Sequence, residues 1–189
     1  MEINIVEKVR NFVEEECKKH ALGMEIYMNH FIPVVNYSKK LANQNNLDLE
    51  LIEIAAWFHD IGSIIYRRED HHITGAEIAE KKLIEFNYPE NKIQLIKNCI
   101  LNHRGSINNS FNSEEERIIA EADCLAFFDN LEGYILWIIE GDGLRDQRKI
   151  KESVMKKTQN KWNQISSEGK ILVKDKYEAV KLLFGDIGK

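Results

Sequence analysis

The chain is 189 residues long, 43% hydrophobic and 30% charged, with a formal net charge of −5. That is the balance of a soluble globular protein. No apolar run approaches the ~20 residues that span a bilayer, and a mildly acidic surface does not favour general binding to nucleic acid. Two prolines and ten glycines in the whole chain predict long uninterrupted elements and argue against a many-turned β architecture. The start, "MEINIVEKVRNF", carries acidic residues and lacks the basic-then-apolar order of a secretory signal. Within it Ile5, Val6, Val9, Phe12 and Val13 recur at helical spacing. After Gly23, "MEIYMNHFIPVVNYSKKLANQNN" continues a helical face through Val34, Val35, Ser38, Leu41 and Ala42. Pro33 suits the first turn of that helix, which leaves His30 near its start.

"NNLDLELIEIAAWFHDIG" predicts a third helix, with Leu51, Ile52, Ala55 and either Phe58 or His59 inward, ending near Gly62. "HHITGAEIAEKKLIEFN" predicts a fourth, with Ala76, Ala79, Leu83 and Phe86 on one side. "PENKIQLIKNCILNH" opens on Pro89 and sets Ile93, Ile96, Cys99 or Ile100, and His103 on one stripe. Residues 104–112 form a polar loop. Ser113 with Glu116 three residues later, ahead of an apolar run, is a capping box. The helix it opens turns Ile119, Ala122 or Asp123, Ala126 and Phe127 inward. "GDG" at 141–143 breaks the pattern, and two charged helices finish the chain. There is no internal repeat and no low-complexity linker. One all-α domain over 1–189 is expected. Cys17, Cys99 and Cys124 are odd in number and far apart without a C-x-x-C, as reduced core thiols of a cytoplasmic protein would be.

Polar side chains stand where an apolar face is expected. His30 opens the second helix, His59 and Asp60 close the third, and His71 or His72 opens the fourth. His103 closes the fifth, and Asp123 lies within the sixth. Five of the six histidines fall at element boundaries, with His20 the outsider. Ionisable groups among apolar residues need something that compensates their charge. Imidazole nitrogen and carboxylate oxygen together suit Zn, Fe, Mn, Co or Ni, whereas Mg is held mainly by oxygen.

The order His30, His59–Asp60, Asp123 resembles the HD-domain superfamily of metal-dependent phosphohydrolases over about residues 24–130. "HDIG" at 59–62, "HHITGAEIA" at 71–79, "ILNH" at 100–103 and "EADCLAFFDN" at 121–130 carry the likeness. The resemblance implies a helical bundle with its site core at about 24–130 and C-terminal helices at 144–185 packing on it. It implies that His30, His59, Asp60 and Asp123 bind one metal. His71 and His103 resemble the members that hold two, in which Asp60 bridges the ions. With one ion, His71 and His103 would act on substrate phosphate instead. His71 is preferred to His72 because it lies four residues before Gly75, as in the family's helix.

The activity so implied is hydrolysis of a phosphate ester, mono- or diester, in a nucleotide or other small phosphorylated metabolite. Asp60 would orient or deprotonate the attacking water. Arg104, Arg67 and Arg68 are the candidate phosphate-binding cations, while Arg145, Arg148 and Lys149 read as a solvated helix face. Ser63 stands where the cyclic-dinucleotide phosphodiesterase branch has lysine, and no G-Y-P follows. The acidic pair of the guanosine tetraphosphate hydrolases is not evident either, so neither substrate is favoured. Two alternatives share the ligand set: a di-iron oxygenase, which also needs four His and two Asp, and a non-catalytic metal- or nucleotide-binding module. The expected partner is a small phosphorylated substrate, with no membrane and no strong nucleic-acid signal. Trp162, Tyr177 and Phe184 of the tail helices are expected to pack on the core or on a second subunit of a homodimer.

Overall fold

Every regular element among the described residues (3–66, 69–104 and 110–185) of the computed structural model is helical. The chain divides into two compact units, 1–123 and 124–189.

In the first unit, α1 (Ile5–Lys18) is capped by Asn4, whose Oδ1 accepts from the Glu7 N–H. Val9, Val13 and Cys17 are the buried stripe of α1, four residues apart. α2 (Gly23–Ile26) runs through a π-helical turn, Tyr27–Phe31, into α3 (Ile32–Gln44). The helix therefore begins ten residues before Pro33 rather than at it. Pro33 has no N–H to give the carbonyl four residues back, and its ring crowds that carbonyl. The backbone widens instead, and Ile32 N–H donates to the Tyr27 carbonyl across five residues.

Asp48 caps α4 (Leu49–Phe58), its Oδ1 accepting from the Glu50 and Leu51 N–H groups. α4 is buried almost all round, from Leu51 and Ile52 through Ile54–Phe58, and it packs against α1, α3, α6 (His71–Glu85) and α7 (Glu90–Asn102). Each such buried Ile, Leu or Phe contributes about 1.5–3 kcal/mol. α4 stops at Phe58, and a short α5 (Ile61–Ile65) follows. Gly62 thus sits inside a helix rather than ending one. The reason is space, since a Cβ on Gly62 would stand 2.2 Å from the His71 carbonyl oxygen of α6. Asn46 and Asn87 end α3 and α6 with positive φ of 53° and 56°. Leu47 and Tyr88 then bond back to the carbonyls of Ala42 and Leu83.

α8 (Glu114–Ala126) opens as its capping box predicts, with Glu116 N–H donating to Ser113 Oγ. The Glu116 carboxylate is buried and accepts from Asn112 N–H and Asn102 Nδ2, tying the start of α8 to the end of α7.

The second unit carries a 3₁₀ turn (Phe127–Asp129), α9 (Leu131–Glu140), α10 (Gln147–Gln164) and α11 (Ser167–Phe184). Asn130, whose Oδ1 accepts from Gly133 N–H, starts α9 as a separate helix. Ile138, Val154 and Val180 form its core, with Phe184, Tyr134 and Met155 against them. Trp162 stacks on Tyr177 at 3.9 Å between ring centroids. Cys17, Cys99 and Cys124 are buried, and none is in a disulfide. No helix among the described residues is long and apolar enough to cross a membrane.

Candidate metal centre

Five segments of the first unit bring six side chains together. The π-helical turn carries His30, the bend after α4 carries His59 and Asp60, and the first residue of α6 is His71. His103 closes α7, and Asp123 comes from α8. His59, His71 and His103 are buried, and the Asp60 side chain is 22% exposed.

The two carboxylate oxygens of Asp60 face different partners. Oδ2 lies 3.2 Å from His30 Nε2 and 3.7 Å from His59 Nε2, and those two nitrogens are 3.1 Å apart. Oδ1 lies 3.1 Å from His71 Nε2 and 3.4 Å from His103 Nε2, which are 3.3 Å apart. Asp123 Oδ1 approaches the first group, 3.6 Å from His30 Nε2. The result is two clusters that share one carboxylate, His30–His59–Asp60 and Asp60–His71–His103.

Which nitrogen carries the proton follows from the second ring nitrogen. His59 Nδ1 is 2.8 Å from the Ala56 carbonyl, and His103 Nδ1 is 2.6 Å from the Ile100 carbonyl. A carbonyl only accepts, so each Nδ1 holds a proton and each Nε2 faces the cluster. Burial pushes the His59 imidazole down to about 4, more than the Asp60 carboxylate raises it. Burial opposes the charge on Asp60 too, but His59, His103, His30 and His71 hold its carboxyl well below the usual range.

Imidazole Nε2 atoms paired around a shared carboxylate are a donor set that could hold a divalent metal ion. Ligand atoms at ~2.0–2.2 Å from one ion stand roughly 3.0–3.6 Å apart, which matches the separations within each cluster. A carboxylate that offers one oxygen to each cluster suits ions ~3.5–4 Å apart. The residues therefore fit two divalent ions. The anchoring carbonyls of Ala56 and Ile100, each three residues before its histidine, leave no mark in a sequence because any residue supplies a carbonyl.

The other expected residues fall differently. Arg104 Nη1 donates to the Glu69 carbonyl, which ties the end of α7 to the residues before α6. Arg67 and Arg68 lie outside the described residues. His72 stays out of both clusters; its ring is 5.8 Å from that of His71, and its Nδ1 is buried with no hydrogen-bond partner among the described residues. Burial and the nearby Arg104 guanidinium lower its basicity. His20 is exposed.

Comparison with known proteins places these features in a wider set. The model of the HD-domain family matches residues 27–133. An uncharacterized protein of Clostridium beijerinckii is 32% identical over 88 residues, 44% of this chain and 56% of that one. The matched stretch thus spans little more than half of that relative's length. The crystal structure of a predicted HD superfamily hydrolase from an uncultured Thermotogales bacterium superposes with a TM-score of 0.59 at 17% identity. That match covers 93% of this chain and 91% of the other.

Proposed function

This chain belongs to the HD-domain family, and from that premise we propose that it is a metal-dependent phosphohydrolase acting on a nucleotide or other small phosphorylated metabolite. The observation that carries the reading is the division of the Asp60 carboxylate between two histidine pairs. His30, His59, Asp60 and Asp123 would hold one divalent transition metal and Asp60, His71 and His103 a second. Bound there, the ions supply Lewis acidity that makes hydroxide available near neutral pH and offsets charge on phosphate oxygens.

The chain's own groups do the rest. His59 and His103, each pinned through Nδ1, keep their Nε2 atoms aimed without reorganising. Asp60, one oxygen toward each cluster, orients the attacking water. Arg104, adjacent to His103, offers a planar cation for phosphate oxygens. Neither Cys124 nor any serine is needed as a nucleophile. The hydrolase name of the Thermotogales neighbour agrees with this chemistry.

The test begins with metal analysis of protein purified without added metal. A phosphatase screen with Mn, Fe, Co, Ni and Mg over mono- and diesters follows, with Asp60→Ala alongside. The proposal expects phosphate release in wild type and loss of both metal and activity in the variant. Unchanged metal content in Asp60→Ala would sink the site as drawn. Two irons with substrate-dependent oxygen uptake and no phosphate release would move the protein to the oxygenase reading.

A further inference from the structure

We propose that Tyr27 is the positioning residue for His30, clamping the π-helical turn through a stack on Trp57 and a hydroxyl held between Arg10 and Glu14. The inference rests on the two-ion reading above and concerns which half of that site depends on α1.

Tyr27 is buried and opens the π-helical turn three residues before His30. Its ring stacks on Trp57, with centroids 5.4 Å apart and planes 18° from parallel. Trp57 lies two residues before His59, so the stack joins the backbone that carries His30 to the helix that carries His59. The Tyr27 hydroxyl accepts from Arg10 Nε at 3.1 Å and donates to Glu14 Oε2 at 3.4 Å, both on α1. The Arg10 guanidinium also lies 6.0 Å from the centroid of the Trp57 ring. Two aromatic rings and two side chains of α1 therefore fix one end of a turn that helices seldom adopt and that recurs at functional sites.

The other end is fixed by Pro33, which has no N–H to donate to the carbonyl four residues back. An α-helical turn advances its side chains by about 100° per residue and the wider π turn by less. Release of Tyr27 would let the turn relax and swing His30 away from His59. His71 and His103 are instead supported by α6, α7 and the Ile100 carbonyl. The clamp should therefore govern one cluster and spare the other.

Metal-free protein is titrated with Mn²⁺, with equivalents counted by calorimetry and the bound ions followed by electron paramagnetic resonance. Wild type, Tyr27→Phe, Tyr27→Leu and Arg10→Met are compared with His30→Gln and His71→Gln, and circular dichroism checks each fold. Tyr27→Leu is expected to weaken one equivalent by about tenfold or more while the other keeps its affinity. Its spectrum should change from a coupled pair to an isolated ion like that of His30→Gln. Tyr27→Phe, which keeps the stack, and Arg10→Met, which keeps the ring, are expected to fall between Tyr27→Leu and wild type. They carry the test if Tyr27→Leu does not fold.

Two equivalents weakened in parallel, both unchanged across the folded variants, or a residual site like that of His71→Gln overturns the inference alone. A wild type that takes up no Mn²⁺ overturns the functional reading and this inference with it.

Discussion

Gly62→Ala is a one-carbon change whose cost can be worked from the geometry. The added Cβ would stand 2.2 Å from the His71 carbonyl oxygen, 2.5 Å from Thr74 Oγ1 and 2.8 Å from the Gly75 nitrogen. Thr74 can rotate, but two of the three obstacles are backbone. Ordinary carbon contacts begin near ~3.4 Å, so the first turn of α6 must retreat by about 1 Å. Overpacking of this kind costs roughly 1–3 kcal/mol, or about 3–12 °C in melting temperature for a unit of this size. His71 is the first residue of α6, and its Nε2 lies 3.1 Å from Asp60 Oδ1. A retreat of that size takes it out of reach.

Gly62→Ala should therefore bind one ion instead of two, and the ion lost should be the one lost in His71→Gln. Gly75→Ala is the control, because its Cβ would meet nothing closer than 3.4 Å; it should keep both ions. Thermal melts and elemental analysis of the two variants read both effects. A Gly62→Ala protein with wild-type melting temperature and two ions would refute the crossing of α5 and α6 as the reason for glycine.

Ions that bind only the folded state at a thousand times their Kd add about 4 kcal/mol each, so chelation should lower the melting temperature of wild type and leave Asp60→Ala unmoved. Glu116→Ala removes the acceptor shared by Asn102 and Asn112. It should cost about 2–3 kcal/mol in urea melts, and a change below 0.5 would contradict that role. Burial pushes the Cys17 thiol up to about 11 from 9.0. The unfolded chain therefore releases this proton first, and stability falls as pH rises from about 9 to about 11, by at most about 2–3 kcal/mol. Urea melts at the two ends should show a shallower fall for Cys17→Ala; equal slopes would contradict it.

The helical class and most inward faces were legible because apolar residues recur every three or four positions. Ile93, Ile96, Cys99 and Ile100 are all buried on α7, so both of the last two, offered as alternatives, face inward. The histidines were legible as outsiders on those faces, and the structure gathers His30, His59, His71 and His103 around Asp60. Three features left no such trace. The π-helical turn before Pro33 is a compromise between a helix that starts earlier and a proline that cannot continue it. Gly62 looked like a helix stop because close approach of a distant helix has no local signature. The separate α9 was hidden because Asn130 looks like one more polar residue in a continuous apolar period.

One carboxylate serving two ions is the centre of the proposed hydrolytic site. The most direct measurement pairs metal content with phosphate release for Mn-loaded wild type and Asp60→Asn, which keeps the shape of the side chain while replacing one acceptor oxygen by an NH₂ group. Wild type should hold two ions per chain and release phosphate. The variant should hold fewer than two ions, with release falling by about a hundredfold or more. An Asp60→Asn protein that keeps both ions and releases phosphate at the wild-type rate would contradict it.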